Sequence, residues 1–197
     1  MKQNIKQELK KILSILFDTV ELAVLALAIV VPIRYFIFQP FVVSGNSMHP
    51  NFEHKDYLLI DEISFRFNEP ERGEVVVFKA PQRVSTNYIK RIIGLPNEVI
   101  EISDGKIFIS SASGEKEALD ESKYLPDGLI TSGEMTIALK QDEYFVLGDN
   151  RLFSSDSRSW GVLPRQNIVG KVFFRALPVN SLAFIENPVY IFDPIEP

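Results

Sequence analysis

The feature that most limits what this chain can be is an apolar run close to its start. "LAVLALAIVVPIRYFIF", Leu22 to Phe38, carries Arg34 as its only charge. Ahead of it, "MKQNIKQELKK" holds Lys2, Lys6, Lys10 and Lys11 against Glu8 alone. A membrane-spanning helix needs roughly 20 apolar residues, and the run reaches that length if the helix begins near Phe17. Asp18 and Glu21 then lie at one set of headgroups, and Arg34 snorkels to the other interface. Pro32 is tolerated in such a helix. A buried core helix and a cleaved signal peptide, with Ala26–Ala28 as an A-x-A site, also fit part of this pattern. Asp18 and Glu21 sit badly inside a signal peptide's apolar region, and the apolar residues continue past the alanines. The lysine excess places the N-terminus in the cytoplasm and everything after Phe38 outside. The expected division is 1–16 cytoplasmic and basic, 17–38 a transmembrane anchor, and 39–197 an extracytoplasmic β-rich domain.

The remainder reads as β. "DYLLIDEI", "EVVVFKA", "YIKRIIGL", "EVIEI", "KIFIS", "MTIAL", "EYFVLG" and "IVGKVFFRAL" are short runs rich in Val, Ile, Phe and Tyr, punctuated by Gly, Pro, Asp and Asn. "EVIEISDGKIFIS" predicts a hairpin turning at Asp104–Gly105. Residues 111–133 are polar and predict a flexible loop or insertion. The expected fold is all-β: a partly open barrel, or antiparallel sheets, behind one N-terminal transmembrane helix. With 46% hydrophobic residues and 15 phenylalanines, the core is amply supplied.

Composition excludes several functions. There is no cysteine, hence no thiol nucleophile, disulfide framework or thiolate metal site. A net charge of −5 gives no nucleic-acid footprint. No metal or cofactor motif is present.

"SGNSMHPNF" follows the apolar run and places Ser47 in a small, polar turn. A serine needs a base to become a nucleophile. Of the two histidines, His49 is two residues from Ser47, a poor spacing for imidazole to reach the hydroxyl, and both read as surface residues. A lysine serves if burial makes it neutral. Lys90, in "NYIKRIIGLPNE", is the best placed by pattern, with strand alternation putting Tyr88, Lys90 and Ile92 on one face. A solvated strand face is the competing reading of Lys90. "SGEK", Ser113 to Lys116, matches S-x-x-K, but no S-D-N or K-T-G accompanies it. "LGDNRLFSSDSRSWG", Leu147 to Gly161, is a charge-dense stretch after an apolar strand.

Together these stretches resemble the bacterial type I signal peptidases, the membrane-bound Ser-Lys endopeptidases of the S26 class. "SGNSMHPN" is similar to the family's S-x-S-M-x-P-T box. "RGEVVVF" resembles R-G-D-x-V-V-F, and "YIKRIIGLPNE" resembles the K-R-x-x-G-L-P-G-D box. "GDNRLFSSDSR" matches G-D-N-R-x-x-S-x-D-S-R at every fixed position. The boxes occur in the family's order. The resemblance implies Ser47 as nucleophile and Lys90 as general base, removing signal peptides from exported preproteins after small residues. It implies that Ser154 orients the lysine amine, that Asp156 and Arg158 brace the site, and that Asp149, Asn150 and Arg151 form the structural start of their box. Gly45, Met48, Pro50 and Tyr88 become groove or structural candidates. The oxyanion is expected to rest on the Ser47 backbone N–H, with no second donor assigned. The implied partners are preprotein signal peptides, the lipid bilayer and the secretion machinery; no cofactor, metal or nucleic acid is implied.

The chain departs from the pattern at Asn97–Glu98 (for Gly-Asp), Glu74 (for Asp) and Asn51 (for Thr). The substrate is expected to add as a strand between "FQPFVVSG" and "STNYIK", with Phe36, Ile37, Phe38, Phe41, Val42 and Val43 keeping the groove at the lipid surface. Two other readings share some of these residues: a LexA-like self-cleaving Ser-Lys protein, and a catalytically inactive membrane-tethered β-domain that binds partners.

Overall fold

The structure is a computed structural model that describes residues 2–36, 38–111, 114–188, 190 and 192–194. The chain separates into two compact units, 1–39 and 40–197. The first is essentially one helix, α1 (Lys2–Phe36). Its stretch Lys10–Val30 is long and apolar enough to cross a membrane. The apolar side chains along it, from Ile12 to Val30, are exposed, a surface that suits lipid better than water. Ile37 and the side chains of Arg34, Phe36 and Phe38, which the sequence places at the outer interface, lie outside the described residues, as do Ala112 and Ser113.

The second unit is built from two open antiparallel sheets. Its strands are β1 (Phe38–Val42), β2 (Tyr57–Asp61), β3 (Val75–Ala80), β4 (Arg83–Gly94), β5 (Val99–Ser103), β6 (Lys106–Ser110), β7 (Lys116–Leu119), β8 (Met135–Ala138), β9 (Glu143–Leu147), β10 (Leu163–Pro164), β11 (Ile168–Leu177), β12 (Ala183–Phe184) and β13 (Phe192–Pro194). The larger sheet has the order β1-β2-β11-β3-β4-β9-β10, with β12 beside β11; the smaller has β13-β7-β6-β5-β8. Neither closes, so of the two architectures expected, the antiparallel sheets are the ones formed. The expected hairpin is present, with Asp104 (φ 50°) and Gly105 (φ 76°) turning β5 into β6. Positive φ at both central residues gives that turn the twist its strands need.

Strands β3 and β4 lie at the centre of the larger sheet and are buried on both faces. Val75 and Val77 of β3 join Met48, Phe52, Leu58, Ile60, Ile89 and Val172 on one side. Val76 and Phe78 join Ile92, Tyr144, Val146 and Leu163 on the other. Burial on both faces is why "VVVF" reads as an unbroken apolar run rather than an alternating one. A third cluster ties the sheets together: Ile93, Phe145 and Leu147 pack with Ile100, Ile102, Ile107 and Ile109.

One expectation differs. The segment 111–133, read as a flexible loop, contains β7, which pairs with both β6 and β13. Leu119, Leu125 and Thr131 are buried. The segment is not solvated throughout: beside exposed charges such as Lys123 and Asp127 it carries Glu121, which meets a buried arginine.

Candidate active site

The serine turn is fixed by its apolar neighbours. Met48 and Phe52, 0% and 2% exposed, anchor it in the core, and the Phe52 N–H donates to the Met48 carbonyl (2.9 Å). Gly45 adopts φ 97°, a left-handed geometry that favours glycine, and its N–H donates to His54 Nδ1 (3.2 Å). His49, exposed, pairs with Glu53 instead of Ser47 (2.8 Å). Pro50 is exposed in the turn. Ser47 itself is half-buried.

Lys90 projects from the centre of β4, and only 3% of it is exposed. Its Nζ lies 2.7 Å from Ser47 Oγ and donates to the Ile89 carbonyl at 2.8 Å. The Tyr88 ring covers it at 5.7 Å. Burial pushes the Lys90 amine down to about 8, against the opposing pull of the Asp156 and Asp149 carboxylates. Desolvation penalises the ammonium, and no carboxylate among the described residues bonds it to restore the balance. The amine beside Ser47 Oγ is therefore held nearer to neutrality than a surface lysine.

The loop after β9 clasps the serine turn. The Asn150 N–H donates to the Ser47 carbonyl (3.0 Å), and Asn150 Nδ2 donates to the Asn46 carbonyl (3.0 Å). Gly148 has no room for a side chain. A Cβ there would stand 2.2 Å from Ser154 Oγ and 2.4 Å from the Ser47 carbonyl oxygen. Asp156 caps the short helix α2 (Ser157–Trp160) and accepts from Gly148 N–H (3.1 Å) and from Arg158 Nε and Nη2 (2.9 and 2.8 Å). Burial alone would raise the Asp156 carboxyl, but the bonds from Arg158 and Gly148 outweigh it and hold it below the ordinary range. Arg158 also donates to the Arg151 carbonyl (2.8 Å), so the pair spans the whole loop.

Ser47, Lys90, Asp149, Asn150, Asp156 and Arg158 are thus brought together as one assembly. Ser154 is nearby but differently engaged: its Oγ is buried and makes no hydrogen bond to Lys90, and it lies beside the Asp156 carboxylate, which it helps to hold down. Tyr88 packs edge-on to Phe78 (6.2 Å between centroids). A groove of about 170 Å³ runs past Ser47 and Lys90, walled by Phe41, Ser44, Asn87, Tyr88, Ile89 and Ser155.

Sequence reasoning passed over Arg91. It faces away from Lys90 and makes a two-bond pair with Asp149 (2.9 and 2.7 Å), with a third bond to the Gly73 carbonyl (2.8 Å). The signal was a second cation in an apolar strand, which alternation sends to the opposite face, where a buried carboxylate must meet it. Asn51, noted only as a departure, donates to Asp149 (2.9 Å) and to the Tyr124 carbonyl (2.7 Å). The other acidic departures are paired as well. Glu98 binds Arg72 and accepts from Leu95 N–H (2.7 Å), and Glu74 pairs with Lys171 (2.8 Å).

A family model described as "Signal peptidase, peptidase S26" matches residues 16–177. The "Probable signal peptidase I-2" of Synechocystis sp. is 35% identical over 167 residues, covering 82% of this chain and 73% of that one. "Signal peptidase I" of Leptolyngbya laminosa is 35% identical over 171 residues (83% and 81%). "Signal peptidase I P" of Bacillus subtilis subsp. natto is 33% identical over 169 residues (84% and 90%). The family match spans the serine turn, the lysine strand and the clasping loop together, and the chain belongs to the signal peptidase family, peptidase S26.

Proposed function

We propose that this chain is a membrane-bound endopeptidase that removes N-terminal signal peptides from exported preproteins, with Ser47 as nucleophile and Lys90 as general base. The observation that carries the assignment is the 2.7 Å approach of Lys90 Nζ to Ser47 Oγ at a site where the lysine is almost fully buried. With Nζ neutral, it takes the hydroxyl proton as Oγ attacks the scissile carbonyl. The C–N bond breaks, the leaving amine receives that proton from Nζ, and an acyl-enzyme remains on Ser47. Water, deprotonated by the same amine, then releases the signal peptide and regenerates the serine. No acceptor among the described residues takes the Ser47 N–H, which is free to face the oxyanion.

The substrate lies as an added strand. β9 pairs with β4 only from Arg91 onward, so the earlier part of β4, which walls the groove at Asn87 and Ile89, has an edge without a partner strand among the described residues. β1, which contributes Phe41, is itself an edge strand. An extended peptide presents alternate side chains to one face, and a groove of this size admits small ones, which supports cleavage after A-x-A-like sequences. Ser154 is assigned a role in orienting the Lys90 amine when substrate is bound. The segments take the places read from the sequence: 1–16 in the cytoplasm, 17–38 in the bilayer, and 39–197 outside, within reach of preproteins leaving the secretion machinery.

The test is incubation of the detergent-solubilised chain with a preprotein, with mass spectrometry of the new N-terminus. Cleavage after a small-x-small sequence is expected, lost in both Ser47→Ala and Lys90→Ala. Appreciable turnover by either folded variant would remove the dyad from the mechanism.

A further inference from the structure

Arg151 is held by far more than its own loop. Its side chain is fully buried, and Nε donates to the Gly148 carbonyl (3.1 Å). Its remaining donors reach the connection between β7 and β8. Nη1 bonds Glu121 Oε2 (2.7 Å) and the Thr131 hydroxyl, while Nη2 bonds Glu121 Oε1 and the Tyr124 hydroxyl (3.4 Å). Tyr124 extends the contact twice more. Its carbonyl accepts from Asn51, and the Arg91 guanidinium lies 4.2 Å from its ring. One connection therefore touches the serine turn through Asn51, the lysine strand through Arg91 and the clasping loop through Arg151.

We propose that the β7–β8 connection is a positioning clamp for the catalytic groups and that Glu121 is its principal positioning residue. The inference rests on the Ser47–Lys90 reading above. A buried guanidinium needs a counter-charge, and Glu121 is the carboxylate that meets Arg151 in two bonds. A second carboxylate near Arg151 is Asp149, which Arg91 and Asn51 already occupy. Without Glu121, Arg151 competes for Asp149 and draws the Gly148 loop with it. That loop is tied to the serine turn, since the Asn150 N–H donates to the Ser47 carbonyl and a Cβ at Gly148 would collide with that same oxygen. A displacement there is passed directly to the nucleophile.

The test uses the full-length chain in detergent and a peptide with alanine at the two small positions. In Glu121→Gln, kcat should fall about tenfold or more while KM stays within about twofold, because groups are misplaced and binding surface is not lost. The acidic limb of kcat/KM should move to lower pH, since the uncompensated Arg151 charge disfavours an ammonium on Lys90. Glu121→Asp should recover part of the rate. Thr131→Val, which removes one acceptor without changing shape, should lose rate severalfold and stands in if Glu121→Gln does not fold. Ser47→Ala assayed alongside separates the two ideas. Activity in Ser47→Ala overturns the dyad. A dead Ser47→Ala beside a folded Glu121→Gln of unchanged kcat, or a folded Thr131→Val of unchanged kcat where Glu121→Gln does not fold, overturns the clamp alone. A lowered Tm with kcat and the pH limb unmoved also overturns it.

Discussion

Lys90 and Arg91 are neighbours on one strand, equally buried at 3% and 4% exposed, yet their two faces of β4 treat a cation in opposite ways. On the bracing face, Arg91 meets Asp149 in two bonds and remains firmly charged. On the catalytic face, Lys90 meets a hydroxyl and a carbonyl, neither of them a counter-ion, and burial weakens its hold on the proton. Burial costs both residues the same kind of desolvation. What differs is whether a carboxylate stands within bonding distance to offset it. On the proposed reading, the uncompensated cation serves as base and the compensated one as brace.

The largest expected effect erases the difference between the faces. Lys90→Arg puts a permanent cation beside Ser47 and should abolish turnover, because guanidinium does not release its proton in this range. In the unaltered enzyme, kcat/KM should rise about tenfold per pH unit up to a limb near 8, where the Lys90 amine loses its proton, and level off above it. A limb near the free-lysine value, or an active arginine variant, would show that Lys90 is not the base.

Next in size is the bracing face. Asp149→Asn leaves Arg91 buried without its counter-ion and should cost about 3–5 kcal/mol of stability, read by urea denaturation. A loss below about 1 kcal/mol would mean that Arg91 finds other compensation, and the contrast between the faces would fail.

How much of this was legible in the sequence follows from the range of each interaction. Ser47, Lys90 and the Gly148–Arg158 stretch stand out because chemistry restricts residue types at short spacings, and the β3 and β4 runs show their burial as unbroken apolar residues. Alternation along β4 placed Tyr88 and Ile92 together, and both belong to one core cluster. The Arg91–Asp149 pair spans 58 residues and Arg151–Glu121 spans 30, and no local pattern encodes such a contact. Residues 111–133 looked like loop for the same reason: their order comes from partners elsewhere in the chain. The family's box located Ser154, but not that its buried hydroxyl would stand apart from Lys90, because that depends on how the loop folds back on the serine turn.

A smaller effect runs against intuition. Because the Lys90 amine falls to about 8 in the fold, from about 10.5 in the unfolded chain, the folded state binds the proton less tightly. Stability should therefore rise with pH between those values, and below the lower one the full penalty of about 3 kcal/mol applies. Lys90→Met removes that penalty but leaves the Ile89 carbonyl and Ser47 hydroxyl without their bonds, at a cost of about 1 kcal/mol. The inactive variant should be more stable by about 2 kcal/mol at pH 7, with the gain falling to zero at about pH 10 and turning into a loss of about 1 kcal/mol above it. Equal or lower stability at pH 7 would mean that Lys90 is not strained by its surroundings, and the catalytic face would lose its distinction from the bracing one.

The smallest effect sharpens the comparison within the β7–β8 connection itself. Asp127 lies six residues beyond Glu121 on the same segment and carries the same charge, but it is exposed. Glu121 faces a buried guanidinium; Asp127 faces water, where a charge is already solvated and gains little from any neighbour. If the connection acts through specific contacts with the catalytic loop, only residues that make those contacts should matter. Asp127→Ala should then change stability by less than about 0.5 kcal/mol and leave kcat and the acidic limb where they are. If instead the segment acts by its overall negative charge, spread over the nearby cations, Asp127→Ala should shift the acidic limb in the same direction as Glu121→Gln, to lower pH, and by a comparable amount. Matched pH–rate profiles of the two variants decide between contact and field. A shared shift would replace the clamp with a diffuse electrostatic role, because screening by salt would then act on both residues alike.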